Sequence, residues 1–322
     1  MTTLLYQGEP VPLDAGEDVL SALLRAEIDT PHSCRAGNCQ TCIHRAIDGI
    51  PPSSSQEGLT EPQKSLGYFL PCICFPTTDL SIVPVGEVGD RYESAVCGIQ
   101  YLAPDIVHLS LDHDPDFKYR PGQFIELIAN NDLKRHYSIA SLQEASDHLE
   151  LHIKLHANGQ MSRYISEDLK IGSKLHIAGP LGTCIYEGID PDQPIVMVGA
   201  GTGLSPLVGI KREALHRSHR GQIRLYHGAR TRSGLYMHDY LEDLSKSHSN
   251  FAYIGCRLDS DVESERDIAS VVLNKETNLT DSTFFLCGGP GFVNRLKRDL
   301  YLKGISLKKI RSDVFMPAGS GD

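Results

Sequence analysis

The spacing of apolar positions changes character three times along this chain. Residues 3–13 alternate and read as a hairpin, with Gln7-Gly8-Glu9 turning Thr3–Tyr6 back onto Val11–Leu13. Val19, Leu20, Leu23, Leu24 and Ile28 then recur at helical spacing behind Asp18, a candidate N-cap. Short alternating segments follow around Thr41–Ile47 and Leu80–Val85, with Pro51-Pro52-Ser53-Ser54-Ser55 as a surface loop between them. Hairpin, helix and returning strands predict a small α+β unit of β-grasp type ending near Val88, and Val88-Gly89-Asp90-Arg91 reads as a linker. From Ala95 the period is two, over Ala95–Leu102, Ile106–Leu111, Gln123–Ile128, Tyr137–Ser141 and Leu149–Leu155, which predicts an antiparallel β-barrel.

After Pro191 apolar strands and helices alternate. Ile195–Val198 leads into a helix reaching about Ser218. Ile223–Tyr226 precedes a helix near Leu235–Leu244, and Phe251–Ile254 precedes a further helical stretch. Thr283–Cys287 precedes a helix from about Phe292 to Leu302. That order predicts a parallel, Rossmann-like α/β sheet with right-handed crossovers. The expected domains are residues 1–88, 91–188 and 189–322, with a disordered tail at Ala318–Asp322.

At 40% hydrophobic and 22% charged residues, the composition is that of a soluble globular protein, and no apolar run approaches the ~20 residues that span a bilayer. A net charge of −10 argues against nucleic acid as a partner. The charge is uneven. Residues 1–88 hold four Lys/Arg against eleven Asp/Glu, so −7 lies on the first quarter, as suits docking on a basic surface. Nine cysteines, behind an N-terminus with no basic n-region or long apolar core, indicate a reducing, cytoplasmic setting. A monomer is expected. Of the 14 histidines only His216 and His219 fall in an H-x-x-H spacing and none in H-E-x-x-H, and none is assigned to metal.

Chemistry concentrates first in Ser33-Cys34-Arg35-Ala36-Gly37-Asn38-Cys39-Gln40-Thr41-Cys42, with Cys72 after 29 intervening residues. The C-x4-C-x2-C spacing with a distant fourth cysteine is similar to the plant-type ferredoxin pattern for a 2Fe-2S cluster. Two irons and two sulfides need four thiolates, and small residues such as Ala36 and Gly37 let a loop backbone wrap closely around them. Cys39/Cys42 and Cys72/Cys74 also form two short-spaced pairs, as a zinc site would, but that reading leaves Cys34 without a role. Cys72 and Cys74 are two apart, so a strand would point both the same way and spacing alone does not choose; Cys72 is taken as the ligand. Cys97 and Cys256, in strand-like runs, read as buried structural thiols.

The later motifs occur in a fixed order: Arg120-Pro121-Gly122-Gln123-Phe124, Arg135-His136-Tyr137-Ser138, Gly159-Gln160-Met161-Ser162, Gly179-Pro180-Leu181-Gly182, Gly199-Ala200-Gly201-Thr202-Gly203-Leu204-Ser205-Pro206 and Cys287-Gly288-Gly289-Pro290. Over residues 1–317 this order resembles the ferredoxin–NADP reductase superfamily. With its ferredoxin module first, the chain resembles the reductase components of multicomponent ring-hydroxylating or alkane/aromatic oxygenases. The resemblance implies a β-grasp ferredoxin domain, a β-barrel flavin domain holding FAD and a Rossmann-like nicotinamide domain. It places Arg135, Tyr137, Ser138, Lys154, Gly159, Gln160, Met161 and Ser162 at the flavin.

The residue chemistry agrees. Arg135 offers a planar fork to a pyrophosphate, Tyr137 a ring and hydroxyl, Ser138 a hydroxyl for flavin N5, and Ser162 backbone N–H groups plus a hydroxyl. Gly201, Thr202 and Gly203, between an apolar strand and a helix capped by Ser205 with Pro206 at N1, form a diphosphate-accepting turn. By resemblance Cys287, Gly288 and Pro290 border the nicotinamide, Cys287 beside the hydride path, and Phe315 lies near the flavin; a core phenylalanine is the other reading of Phe315. Cys184 stands where relatives often carry an aromatic ring, which weakens adenine stacking and the choice of FAD over FMN, with Tyr186 as a substitute. Arg230 and Arg232 near the adenosine ribose, and Gly234 where relatives often have Asp, admit NADPH beside NADH.

A nicotinamide gives two electrons as hydride and a 2Fe-2S cluster takes one, so a chain with both sites and a flavin is a two-to-one electron converter. The expected acceptor is a terminal oxygenase or an intermediate ferredoxin. A reductase serving a deoxysugar dehydratase keeps the same modules. A redox-responsive binding module is the alternative of another class, but a sensor needs no hydride donor.

Overall fold

Three sheets follow one another along the chain in a computed structural model that describes residues 2–32, 34–85, 91–129, 133–262, 266–276 and 279–315. The expected linker residues Val88–Asp90 and tail Ala318–Asp322 lie outside the described residues. The chain divides into two compact units, one running through Arg91 and the other starting at Tyr92.

In the first unit, β1 (Leu4–Tyr6) and β2 (Glu9–Val11) pair antiparallel across Gln7-Gly8, both at positive φ (51° and 89°). Helix α1 (Val19–Arg25) starts where expected because the Asp18 carboxylate accepts the Ser21 N–H at 3.0 Å. Strands β3 (His44–Asp48), β4 (Tyr68–Phe69) and β5 (Leu80–Pro84) complete a sheet of order β2-β1-β5-β3-β4, with α2 (Glu61–Ser65) preceding β4. Leu4, Val19, Leu23, Phe69, Leu80 and Ile82 form its core. The expected surface loop at 51–55 is a correction in part. Pro51 and Ser55 are buried, because the Ser55 hydroxyl donates to the Pro52 carbonyl at 2.6 Å and its own carbonyl accepts from Leu70 N–H at 2.8 Å.

Strand β6 (Arg91–Ala103) leads into the second unit, so Arg91 belongs to a strand and not to a linker. With β7 (Ile106–Leu111), β8 (Phe124–Ile128), β9 (Lys134–Ser138), β10 (Leu149–Lys154) and β11 (Lys174–Leu181) it forms a sheet of order β10-β7-β6-β11-β8-β9. An antiparallel bridge from Ile139 to Leu151 brings the β9 end back to β10 and closes the barrel. Cys97 is only part-buried, contrary to expectation, because it follows the inward-facing Val96 and so takes the outer face of β6. Cys256 is buried.

Beyond the barrel, β12 (Ile195–Ala200), β13 (Ile223–Ala229), β14 (Phe251–Arg257), β15 (Thr283–Gly288) and β16 (Ile310–Val314) form a parallel sheet of order β14-β13-β12-β15-β16. Helices α4 (Leu204–His216), α5 (His238–Ser247), α6 (Ile268–Lys275) and α7 (Pro290–Leu302) make the connections, and α3 (Gln160–Arg163) lies earlier, after β10. Ile195 and Met197 pack into one core and Val196 and Val198 into another, which is why β12 is apolar throughout. Strand order reverses between β12 and β15, and such a reversal opens a crevice at the carboxyl ends of the strands. Arg212, on α4, reaches Glu150 of the barrel at 2.6 Å and the Ala140 carbonyl at 3.1 Å. No helix among the described residues is long and apolar enough to cross a membrane.

Candidate functional site

Cys34 begins a loop bent by positive φ at Arg35 (48°), Gly37 (72°) and Gln40 (59°). The bends aim the N–H groups of Ala36, Asn38 and Cys39 at the Cys34 sulfur, at 3.4, 3.3 and 3.4 Å. Gly37 suits the bend, since its φ of 72° strains any side chain and a Cβ would also press on Ile73 Cδ1 at 2.6 Å. Hydrogen bonds pair the thiols as Cys34 with Cys39 and Cys42 with Cys72. The Cys39 thiol, with the three N–H groups, holds Cys34 down to about 5. Cys74 points instead into the apolar core, where burial pushes its thiol up to about 12 and Ser55 hydrogen-bonds it. Among the described residues no three His, Cys, Asp or Glu side chains gather about one point for a metal ion. Two thiol pairs suit two bridged irons, whereas a single tetrahedral zinc needs four donors about one centre.

In the second unit, β9 carries Arg135, Tyr137 and Ser138. Tyr137 packs part-buried on the barrel core, and burial holds its phenol protonated. Burial, and then the Arg135 charge, hold the neighbouring His136 down to about 4, so it is neutral. The Ser138 hydroxyl donates to Asp313 Oδ2 at 2.6 Å. Burial raises the Asp313 carboxyl to about 6, against the opposing pull of that hydrogen bond. Gly159 caps α3, and a Cβ there would sit 2.9 Å from Ser162 Oγ. Ser162 Oγ accepts the His156 N–H at 2.9 Å, which leaves its own proton to donate. Gln160 is exposed, Met161 belongs to the barrel core, and Lys154 is ion-paired with Asp105. Tyr186 is committed elsewhere, its hydroxyl 3.0 Å from His219 Nδ1.

The crevice between β12 and β15 gathers the remaining motifs. Gly201 has φ +57° and nothing within 4 Å of where a Cβ would lie, so its backbone is open to a ligand. Gly203 is the opposite case, its Cβ position 2.1 Å from the Cys287 carbonyl oxygen. Thr202 lies between them in a 3-10 turn. The expected Ser205 cap is a correction. Helix α4 starts at Leu204, and Ser205 Oγ donates to the Ser138 carbonyl at 3.2 Å while accepting the His152 N–H at 3.3 Å. His227 places Nε2 3.1 Å from the Gly201 carbonyl, and its Nδ1 is buried without a partner, which leaves a polar atom to satisfy beside the diphosphate turn.

Gly288 (φ +144°) follows Cys287, and Gly289 and Gly291 have nothing within 4 Å of a Cβ, a flat floor that admits a planar ring. Pro290 opens α7. Phe315 donates its N–H to the Gly288 carbonyl at 2.8 Å, and Asp313 pairs in register with Cys287. Arg230 is exposed in the loop after β13. Ser138, Gly203, Cys287, Gly288 and Phe315 are therefore brought together, while Lys154 and Arg230 are engaged or placed apart from them. Sequence reasoning missed Asp313 and His227. Asp313 was signalled by standing two residues before Phe315, which on a strand is the same face.

A thiol-pair loop, a closed antiparallel barrel and a doubly wound parallel sheet with an open glycine turn define a three-module iron–sulfur flavoprotein oxidoreductase. Residues 4–77 match a 2Fe-2S iron-sulfur cluster binding domain, 102–186 an oxidoreductase FAD-binding domain and 197–298 an oxidoreductase NAD-binding domain. The chain belongs to the ferredoxin–NADP reductase superfamily, in the group with an N-terminal 2Fe-2S domain. It is 30% identical to the ferredoxin–NAD(P)(+) reductase component of the naphthalene 1,2-dioxygenase system of Pseudomonas putida, over 96% of each chain. It is 27% identical to the CDP-6-deoxy-L-threo-D-glycero-4-hexulose-3-dehydrase reductase of Yersinia pestis, over 95% of each. The crystal structure of an Amycolatopsis cytochrome P450 reductase matches with a TM-score of 0.70 at 25% identity, over 99% of this chain and 100% of that one. The protein is an NAD(P)H oxidoreductase that uses FAD and a 2Fe-2S cluster, and the zinc alternative falls.

Proposed function

We propose that this chain takes hydride from NADH at the crevice between β12 and β15 and hands single electrons, through a cluster held by Cys34, Cys39, Cys42 and Cys72, to a terminal oxygenase or an intermediate ferredoxin. The observation that carries the reading is the convergence of Ser138, Asp313, Cys287 and Phe315, from the barrel and the parallel sheet, on one point. The bound groups supply the redox chemistry: nicotinamide gives two electrons as hydride, FAD takes them and releases them singly, and the cluster carries one.

The chain's residues bind, orient and hold a proton. Arg135 and the Gly159–Ser162 turn would hold the FAD pyrophosphate, and Tyr137 would hold the flavin ring. Ser138 presents a hydroxyl whose orientation Asp313 fixes, and a carboxyl raised to about 6 can hold or accept a proton near neutrality. Gly201–Gly203 would receive the diphosphate of the nicotinamide dinucleotide, Arg230 would meet its adenosine ribose, and Gly288–Pro290 with Cys287 would meet its nicotinamide. The working domains are residues 1–88, 91–188 and 189–322.

The naphthalene dioxygenase relative favours an oxygenase system as the acceptor; the dehydrase reductase relative keeps a deoxysugar dehydratase as the second reading. The test uses Cys42→Ser in the full chain. NADH-driven ferricyanide reduction should persist, while cytochrome c reduction should fall at least about tenfold, the loss of the one-electron exit. Equal cytochrome c turnover by the variant overturns the reading. Recovery of a dehydratase as the partner retained by the tagged protein in its own host decides for the second acceptor.

A further inference from the structure

Cys184 and Cys287 bring their sulfurs to 3.8 Å across 103 residues of sequence, and both are buried. Their backbones have little room to move. A Cβ at Gly122 would lie 2.1 Å from the Cys184 carbonyl oxygen, and one at Gly203 would lie 2.1 Å from that of Cys287. Cys287 is also held from both sides by strand pairing with Gly199 and Asp313. Next to Cys184, the Arg311 guanidinium donates to the carbonyls of Ile185 and Glu187. Closing the 3.8 Å contact to the about 2.05 Å of a disulfide brings the two sulfurs together by under about 2 Å. The other buried thiols lie elsewhere, Cys42, Cys72 and Cys74 in the first unit and Cys256 on the far side of the parallel sheet.

We propose that Cys184 and Cys287 are a redox modification site: hydrogen peroxide oxidises the pair to an intramolecular disulfide that removes the Cys287 thiol from the hydride path and halts turnover until a thiol reductant restores it. The inhibitory half rests on the placing of Cys287 beside the nicotinamide; the bond itself rests on the geometry alone. The step balances. One thiol reacts with peroxide to give a sulfenic acid and water, and the second thiol displaces a second water as the S–S bond forms. Two thiols and one peroxide thus become one disulfide and two waters, and a dithiol returns the two electrons. Peroxide is also what misdirected electrons make from dioxygen, so the oxidant is native to electron transfer. Burial, the Cys184 thiol and the Asp313 carboxylate keep Cys287 protonated; because the thiolate is the nucleophile, oxidation is slow and waits on loss of that proton, and burial admits only a small neutral oxidant.

The experiment treats the holoenzyme with graded hydrogen peroxide, blocks the remaining thiols and digests with trypsin. Peptide 175–211 contains Cys184 as its sole cysteine and peptide 276–295 contains Cys287 as its sole cysteine, so a linked pair is unambiguous. We expect that linked pair, about 2 Da below the summed peptides, to rise as NADH–ferricyanide reduction falls at least about fivefold, with both reversed by dithiothreitol. Ferricyanide reduction is the readout because it does not require the cluster. Cys184→Ser and Cys184→Val, each measured against its own untreated rate, should lose less than about twofold at the same dose. Absence of the linked pair after the rate has fallen overturns the disulfide and leaves the placing of Cys287 standing. A linked pair with an undiminished rate overturns that placing and the inhibition with it. Parallel loss of rate in both variants overturns control by this pair.

Discussion

Replacing Asp313 with asparagine tests the proton-holding part of the site through stability as well as rate. Burial moves the carboxyl from its ordinary 3.8 to about 6. A carboxyl that binds its proton more tightly folded than unfolded contributes most below about pH 4, and that contribution is lost as pH rises through about 6. Two pKa units correspond to about 3 kcal/mol; discounted for the part of the side chain that remains accessible, about 1–3 kcal/mol is expected. Asparagine keeps an acceptor for the Ser138 hydroxyl but does not titrate, so the variant should gain on the wild type between pH 4 and pH 8. For a unit of this size that gain is about 2–12 °C in Tm. The assay is thermal unfolding of both proteins, saturated with FAD, across that range. A Tm difference constant within about 1 °C from pH 4 to pH 8 refutes the argument. The pH profile of NADH–ferricyanide reduction should also lose an ionisation near 6 in the variant.

Other expectations concern the cluster, the flavin and the acidic first unit. Cys72→Ser should purify without a full complement of iron while Cys74→Ser keeps about two irons per chain; the reverse result moves the fourth ligand to Cys74. Arg135→Ala should weaken FAD retention by about 1.5–3 kcal/mol, read by fluorescence titration, and unchanged affinity removes Arg135 from the pyrophosphate. Because residues 1–88 carry −7, cytochrome c reduction should fall as salt rises while ferricyanide reduction barely changes, and equal salt dependence argues against charge-guided docking.

The legible parts of the fold were those where one physical signal dominated. Asp18 caps α1 in fact as in pattern, and β12 and β15 read as strands because both their faces are buried. Three strands escaped notice, and the first, β4, is only two residues long. β11 contains Gly179-Pro180, which reads as a turn, and the strand accommodates it with a register irregularity between Ala178 and Leu181. β16 has a polar middle, Arg311-Ser312-Asp313, because it forms the sheet edge and one of its faces serves the site. Ser205 reads as a cap by position, yet two long-range partners from the barrel claim its hydroxyl. The thiol contact of Cys184 with Cys287 is invisible to spacing, since only tertiary folding closes a gap of 103 residues.

The 2.1 Å clearance at Gly203 has a consequence for how such a chain can diversify. The turn proposed to receive the diphosphate is wedged directly against the Cys287 carbonyl, so any side chain at residue 203 would displace Cys287. The adenosine end has no such tie. Arg230 is exposed, and a Cβ at Gly234 would meet only Ala229 Cβ at 3.2 Å and Thr231 Oγ1 at 3.9 Å. Coenzyme preference can therefore drift or be engineered at 230–234 while the reactive end stays fixed, and lineages that exchange one dinucleotide for the other should do so by substitution in that loop.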